Sequence, residues 1–348
     1  MRTERNGETG ETGKQHTLKP RPYGLHVQPI LLLPEEQQEG TYERVIHSER
    51  ATVEEKNEVT EEHAYEQEEY KKIFGHWCMK QLNIIVSSGM HAKVYVHTRH
   101  TMGISADHWN IIVKKGASLE LIDKTYGAGN AYRTTTIHIE ENSKINYALI
   151  NTIYGTLATT RTIHVGKNSE ANTQELHTRT RAYSKTHIHL KEEGSKGTIT
   201  SEYKITNNET IELHPTIEHT GKNTHSRINT KGTIEEESTI TIQGLIKINN
   251  EADESTGFQN SSVLTLSTNA HTNILPNLEI HNNNVQCSHS ASVTNIDEEQ
   301  IYYLRSRGVP IHTARKLILT GYHESGISTF PEKAREEART ILEMKEDE

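Results

Sequence analysis

The residues best suited to chemistry lie near the end of the chain, where one serine separates Cys287 from His289. Successive side chains of an extended strand point to opposite faces, so positions two apart share a face. A thiolate and an imidazole on one face are suitable ligands for iron, zinc or the edge of a metal–sulfur cluster. A tetrahedral site needs four donors, so other residues or a second subunit must supply the remainder. A packed cysteine beside a surface histidine is the alternative that these two residues leave open.

Other patterns that could carry chemistry are weaker. The chain contains no GxxxxGK[ST] phosphate-binding loop, which predicts that it does not hydrolyse ATP itself. A β-helix carbohydrate-active enzyme is a remote alternative, because such an enzyme needs convergent carboxylates and the acidic runs 235–237 and 253–254 do not repeat as pairs. There are 22 histidines, and His187 and His189 share a strand face. Most of the histidines are scattered on a Thr-rich surface, and apart from His289 we do not expect them to be metal ligands.

The elements that position the Cys287–His289 pair are short strands of alternating polarity, which begin near residue 80. Turn signals follow at 115–118, 141–144, 166–169 and 193–196, at intervals of about 25 residues, and each precedes a strand. The period blurs beyond residue 206. A Greek-key sandwich also contains many short strands, but regular spacing favours a mainly β fold built as a parallel β-solenoid over residues 80–296.

Different textures flank this predicted core. Residues 1–33 lack any period and are predicted to form a flexible arm. Residues 34–79 are rich in Glu, Gln and Lys and are predicted to form a polar helical region. After residue 296, Asp297 is a good N-cap and Gly308 a good left-handed C′ residue. These signals predict two short helices over 297–330 that form a docking module. Residues 331–348 are predicted to form a charged terminal helix or tail.

Composition limits the classes of function. The net charge is −9 and the sequence pI is about 6.2, which gives no basic footprint for nucleic acid and argues against residues 298–320 being a helix-turn-helix DNA reader. The longest apolar run near the start, residues 30–33, is far too short to span a bilayer, and we expect no membrane segment. Two cysteines and no recognisable signal peptide predict a reducing, cytoplasmic location.

A larger set of residues at fixed spacing surrounds Cys287 and His289. It consists of Pro276, Leu278, Glu279, Ile280, Cys287, Ser288, His289, Asp297, Glu298 and the run Tyr303-Leu304-Arg305-Ser306-Arg307-Gly308. This pattern resembles the C-terminal half of the SufB/SufD family of iron–sulfur cluster assembly proteins. A looser likeness extends over residues 80 to 323.

The resemblance implies a right-handed parallel β-helix with short helical N- and C-terminal regions, acting as a non-catalytic scaffold. It implies pairing with a SufB-like subunit through the C-terminal end of the β-helix, and docking of SufC, an ABC-type ATPase, on the C-terminal helices. A transient cluster of iron and sulfide would form at the subunit interface, with Cys287 and His289 at the family's cluster-holding positions. The SufC-docking surface would comprise Arg305, Arg307, Gly308, Ala314, Leu317 and Ile318, although simple helix packing is the alternative for these residues.

Two departures from the family pattern bear on the partner. No cysteine lies between Cys78 and Cys287, whereas SufB-like chains carry an internal cysteine that receives sulfur. This absence, together with Ser288 between the two proposed ligands, makes the chain resemble SufD more closely. The chain is also short for SufD. A compact scaffold that pairs with a second copy of itself is therefore an alternative to a SufB–SufD heterodimer.

Overall fold

A computed structural model of the chain describes residues 42–56 and 79–343. The protein is mainly β, with 62% strand, and forms a parallel β-solenoid of about 8 turns followed by three short helices. The strands are β1 Tyr42–Glu49, β2 Thr52–Lys56, β3 Met79–Val86, β4 His91–His100, β5 Ile104–Val113, β6 Ser118–Ile139, β7 Lys144–Val165, β8 Glu170–Thr178, β9 Arg181–Leu190, β10 Lys196–Ile205, β11 Thr210–His219, β12 His225–Ile234, β13 Thr239–Ile248, β14 Thr256–Thr265, β15 His271–Ile280 and β16 Gln286–Asn295. The predicted solenoid fold is confirmed.

Two parallel ladders make up the solenoid, and each turn adds one strand to each ladder. The even ladder runs through β8, β10, β12, β14 and β16, and the odd ladder through β9, β11, β13 and β15. The long strands β6 and β7 belong to both ladders. They cross between the ladders at stacked glycines: a Cβ on Gly155 would lie 2.0 Å from the carbonyl oxygen of Gly129.

In-register stacking of β-branched residues forms the core. The odd ladder places Ile137, Ile163, Ile188, Ile217 and Ile246 directly above one another, and none of these side chains is exposed. Alternation along each strand puts side chains such as Lys185, His189 and Glu218 on the outer face and these isoleucines in the lumen. A narrow apolar column of this kind explains how a chain with a mean hydropathy of −0.74 still buries a continuous core.

The recurring turns work as predicted from their Gly, Asn and Ser residues. Asn142 and Asn168 adopt left-handed φ values of 57° and 52°, a conformation that asparagine tolerates better than most residues. A serine hydroxyl links two successive turns, because Ser169 Oγ donates to the carbonyl oxygen of Glu140 in the preceding coil at 2.6 Å. The spacing between aligned positions grows from 26 residues (Lys144 to Glu170) to 31 (His225 to Thr256), which explains why the sequence period blurs.

The predicted polar helix is wrong for residues 42–56, which form the strands β1 and β2. β1 pairs antiparallel with β4 and β2 pairs antiparallel with β3, so the two strands cover the first strand of each ladder. Pairing with these strand edges outweighs the helix preference of the Glu-rich segment. Arg44 links the two covering strands to each other and to β5, because it contacts Glu55 of β2 at 2.7 Å and Asp107 of β5 at 2.5 Å. The remainder of the predicted helical region (34–41 and 57–78) and the predicted arm (1–33) lie outside the described residues.

Three helices follow the last strand: α1 Glu298–Ser306, α2 Ile311–Ile327 and α3 Glu332–Glu343. Asp297 caps α1 by accepting from the backbone N–H of Glu299, as predicted. Gly308 has φ +85° and donates its N–H to Arg305, while Val309 donates to Leu304, which together make a Schellman motif. None of the helices in the described chain is both long and apolar enough to cross a membrane.

Helices α2 and α3 lie along the outer face of the even ladder. In α2, His323 Nδ1 lies 2.6 Å from Glu202 Oε1 of β10, and the hydroxyl of Tyr322 donates to the carbonyl oxygen of Ser262 in β14 at 3.0 Å. The charged terminal helix α3 buries Ala334 and Ala338 against Ile122, Ala148, Ile150 and Leu176 of the solenoid. It is therefore docked along its length; residues 344–348 lie outside the described range.

Candidate functional site

Cys287 and His289 lie on β16, the last strand of the even ladder. Parallel register places Cys287 beside Gly257 and His289 beside Gln259 of β14, and both β14 residues are buried. The two side chains therefore share one face, as the two-residue spacing predicts, and they extend the lumen-facing column of the ladder. Nothing in the described chain stacks on β16, so Cys287 is only half-buried and His289 is exposed.

Two glycines make room for the groups beneath this pair. A Cβ on Gly257 would lie 2.8 Å from Ile246 Cγ2 and 3.5 Å from the Cys287 sulfur, so the thiol packs over a position that only glycine fits well. A Cβ on Gly244 would lie 1.9 Å from Gln259 Nε2, so the amide of Gln259 occupies the space that this glycine leaves.

Gln259 is a further polar group of the site that the sequence did not identify as a candidate ligand. Its side chain is 3% exposed, and neither Nε2 nor Oε1 has a hydrogen-bond partner within residues 42–56 and 79–343. Leaving a buried amide unpaired costs about 1–3 kcal/mol, so such groups usually have a partner or a function. In the sequence this position shows only a loose family likeness. The register of β14 with β16 is what puts the amide beside His289.

The electrostatics of the site favour a protonated thiol in the free protein. Burial raises the pKa of Cys287, and a hydrogen bond from the backbone of Gly257 only partly opposes that shift. Because metals bind the thiolate, an arriving cation must displace this proton. The site can thus offer one sulfur and one imidazole nitrogen from β16, which is an incomplete donor set for a tetrahedral metal.

The residues predicted for partner docking divide into an exposed and a buried group. Arg305, Arg307 and Gly308 are exposed, Leu317 is 53% exposed and Ile318 is half-buried. Ala314 has no exposed surface, because its methyl group packs on the inner side of α2. Its assignment to the docking surface is therefore corrected: Ala314 is a packing residue.

A cleft of about 1090 Å³ lies between the end of β16 and helix α2. Val293 and Asn295 of β16 line one side, and Ile311, Arg315 and Leu319 of α2 line the other. The end of the strand that carries Cys287 and His289 thus borders the same cleft as the helix that carries Leu317. A motion of α2 relative to the solenoid would alter the surroundings of β16.

The acidic runs considered for a carbohydrate-active enzyme form turns. Glu236 and Glu254 adopt left-handed φ values of 51° and 56°, and both are exposed. Neither run lies on a strand face where carboxylates from successive coils would converge, which does not favour glycosidase chemistry.

The profile of the family described as SUF system FeS cluster assembly, SufBD core domain, matches residues 95–322, more than half of the chain. The chain is 27% identical over 144 residues to Protein ABCI7, chloroplastic, of Arabidopsis thaliana, covering 40% of this chain and 30% of that protein.

Two bacterial relatives carry the name iron-sulfur cluster assembly protein SufD. The protein of Escherichia coli K12 is 38% identical over 79 residues, covering 23% of this chain and 19% of the relative. The Bacillus subtilis protein is 34% identical over 103 residues, covering 29% and 24%. The chain spans less than a third of the length of each of these three relatives.

Proposed function

The chain belongs to the SufBD core family of the SUF system for iron–sulfur cluster assembly, and from that premise we propose that it is a SufD-like scaffold subunit. Iron and sulfide are the substrates that it holds at an interface with a second subunit. That subunit is a SufB-type chain, and a SufC-type ATPase bound to the C-terminal helices drives the motion. The scaffold itself catalyses no step, and the reduced thiol that it needs fits a cytoplasmic location.

The difference between the two ends of the solenoid is the observation that carries this proposal. The first strands of both ladders are covered by β1 and β2. The last strands, β15 and β16, have no partner on their outer edges among the described residues. An uncovered edge of two ten-residue strands is a ready template for another chain.

Apolar groups at the open end fit a protein interface. Leu275 is 45% exposed, Ile280 41% and Val293 55%, although Val293 follows the column of the fully buried Val263. Stacking of a partner strand would remove these side chains from water. This burial would stabilise the complex by about 25 cal/mol for every Å² of apolar surface removed from water.

The chemistry of β16 calls for a partner as well. Cys287 and His289 supply two donors, and a cluster edge or a tetrahedral metal needs more. A second subunit facing the same open end would bring the missing ligands. A chain whose only other cysteine is Cys78, before the solenoid strands, lacks an internal sulfur carrier, which supports SufB rather than a second copy as that partner.

The exposed faces of α1 and α2 suit the ATPase. Tyr302 is 74% exposed, Tyr303 56% and Leu317 53%, and Arg305 and Arg307 lie beside them. Aromatic residues and arginines are enriched where proteins bind one another. Because α2 borders the cleft that ends at β16, closure of two ATPase subunits can move α2 and open the Cys287–His289 site.

Anaerobic reconstitution with SufC and a SufB-type subunit tests the proposed ligands. We expect the double variant Cys287→Ala/His289→Ala to form the complex but to lose most of the cluster absorbance and acid-labile sulfide. Ser288→Ala, on the opposite face of the same strand, is the matched control and should assemble normally. Normal cluster yield in the double variant would remove both residues from the mechanism.

Two exposed valines test the proposed interface. Val293→Asp at the open end should abolish association with the SufB-type subunit in sedimentation experiments. Val45→Asp is the matched control, because Val45 is 53% exposed but lies on β1 at the covered end. Equal association by both variants contradicts the proposed interface, and self-association without the SufB-type chain would favour the homodimer.

Leu317→Asp should weaken SufC binding while leaving the solenoid folded.

A further inference from the structure

The outer face of the odd ladder carries a row of histidines that the proposed function does not use. His138, His164 and His189 lie in register on β6, β7 and β9, with ring centroids 4.9 and 5.0 Å apart. The next residue in the row, on β11, is Glu218. His187 lies two residues before His189 on the same outer face, so one carboxylate and two imidazoles meet at one point on the solenoid.

The ligand atoms of this trio are close enough to share one ion. One nitrogen from each histidine and one Glu218 oxygen all lie within 4.8 Å of one another. Glu218 Oε2 lies 3.4 Å from His189 Nδ1 and 3.7 Å from His187 Nε2. For metal–ligand bonds of about 2.1 Å, tetrahedral geometry separates neighbouring ligands by about 3.4 Å. The two distances from Glu218 Oε2, 3.4 Å and 3.7 Å, are therefore close to the separation of neighbouring ligands in a tetrahedral site.

Neighbouring residues orient the carboxylate toward the imidazoles. Asn249 Nδ2 donates to Glu218 Oε1 at 3.0 Å, and Lys247 Nζ lies 3.3 Å from the same oxygen. With Oε1 held in this way, Oε2 remains directed at the two rings. Hydrogen bonds to the non-ligating atoms of metal ligands are a regular feature of metal sites, because they fix the geometry of the donors before the ion arrives.

The protonation states also suit a cation. Burial lowers the pKa of His187 to about 4 and also lowers that of His189, which outweighs the nearby Glu218 carboxylate. Burial thus favours the neutral form of both rings, which is the form that binds metals. Burial acts to raise the pKa of Glu218, but the contacts from Asn249 and Lys247 hold it below its usual value. His187 Nε2 has no hydrogen-bond partner among the residues that the structure describes.

We propose that His187, His189 and Glu218 form a binding site for one divalent transition-metal ion of borderline softness, such as Zn²⁺ or Fe²⁺, with its fourth position open. Two imidazoles and one carboxylate with an open position are a donor set that both ions accept. The site lies on the outer face of the odd ladder, on strands other than the one carrying Cys287 and His289. It does not depend on the proposed cluster-assembly role.

Metal titration of the full chain tests this site. With Cys78→Ser and Cys287→Ser removing both thiols, calorimetry should still detect one equivalent of bound Zn²⁺. His187→Ala and Glu218→Gln should each weaken this binding at least tenfold. His214→Ala is the matched control and should leave it unchanged, because His214 lies 3.6 Å from Glu212 on the same outer face but outside the trio.

A second measurement keeps the test independent of the cysteine substitutions. In the unmodified chain, Co²⁺ should produce visible d–d absorption that His187→Ala removes, while circular dichroism of the metal-free variant matches that of the parent. No Zn²⁺ binding by the thiol-free chain together with no such Co²⁺ absorption would overturn the proposal. Affinity that is insensitive to His187→Ala and Glu218→Gln would overturn it as well.

Discussion

Two glycines in α2 allow one substitution to be tested in two environments. Gly326 is buried where α2 meets β10, and a Cβ there would lie 1.6 Å from Glu202 Oε2. Gly321 is exposed on the same helix, and a Cβ there meets nothing within 4 Å. Replacing each by alanine changes the same atoms, but only Gly326→Ala conflicts with the docking of α2 on the solenoid.

The two variants should therefore shift stability in opposite directions. Alanine is about 1 kcal/mol better than glycine inside a helix, so we expect Gly321→Ala to stabilise the protein by about 0.5–1 kcal/mol. At position 326 overpacking costs about 1–3 kcal/mol. Displacing Glu202 also breaks its 2.6 Å contact with His323, which adds about 1–3 kcal/mol for buried groups left unpaired. We expect a net loss of about 1–5 kcal/mol for Gly326→Ala once the helix preference is subtracted.

Urea unfolding followed by far-ultraviolet circular dichroism measures both free energies, and limited proteolysis reports release of α2. Adding Glu202→Ala to Gly326→Ala removes the blocking carboxylate, so the double variant should lose less than the sum of the two single losses. If both glycine variants shift stability in the same direction, or if the double variant is additive, the docking of α2 over Glu202 is not as described.

Three further predictions concern the lumen. Arg161→Gln removes the guanidinium that lies 2.5 Å from the buried Glu175, and it should lower the free energy of unfolding in urea by about 3–5 kcal/mol. Glu170→Gln, which breaks a partly exposed pair with Lys144, should lower it by less than about 1 kcal/mol. Burial acts to raise the pKa of Glu175, but Arg161 holds that pKa well below its usual value. The free energy of unfolding should therefore fall as the pH drops below about 4.3. This loss of stability in acid should be smaller in Arg161→Gln. Since burial raises the pKa of Cys287, its alkylation by iodoacetamide, followed by mass spectrometry, should be slower near neutral pH than that of an unfolded control and should continue to rise above pH 9; equal rates at pH 7 would contradict this.

Local signals were sufficient for the solenoid and for much of the candidate site. Turn residues such as Asn142 and Gly116 specify left-handed positions, and alternation specifies which face of each strand is buried. The same alternation places Cys287 and His289 on one face without knowledge of any other strand. Asp297 and Gly308 marked the ends of α1 for equally local reasons, since they satisfy backbone groups within one turn.

Features that depend on distant partners were not accessible in this way. Residues 42–56 became strands because β3 and β4 present unpaired edges, although their own composition favours a polar helix. Ala314 and Leu317 differ by only three positions, and only the docking of α2 decides that the first is buried and the second exposed.

By itself the sequence determined the repeating strand-and-turn unit, the placement of Cys287 and His289 on one strand face and the caps of α1, because each depends on neighbours within a few residues. Only the tertiary structure decided which end of the solenoid is covered, which amide lies beside His289 and that Glu218 meets His187 and His189. These depend on the register between coils about 30 residues apart. A shift of one residue in that register would turn each side chain to the opposite face.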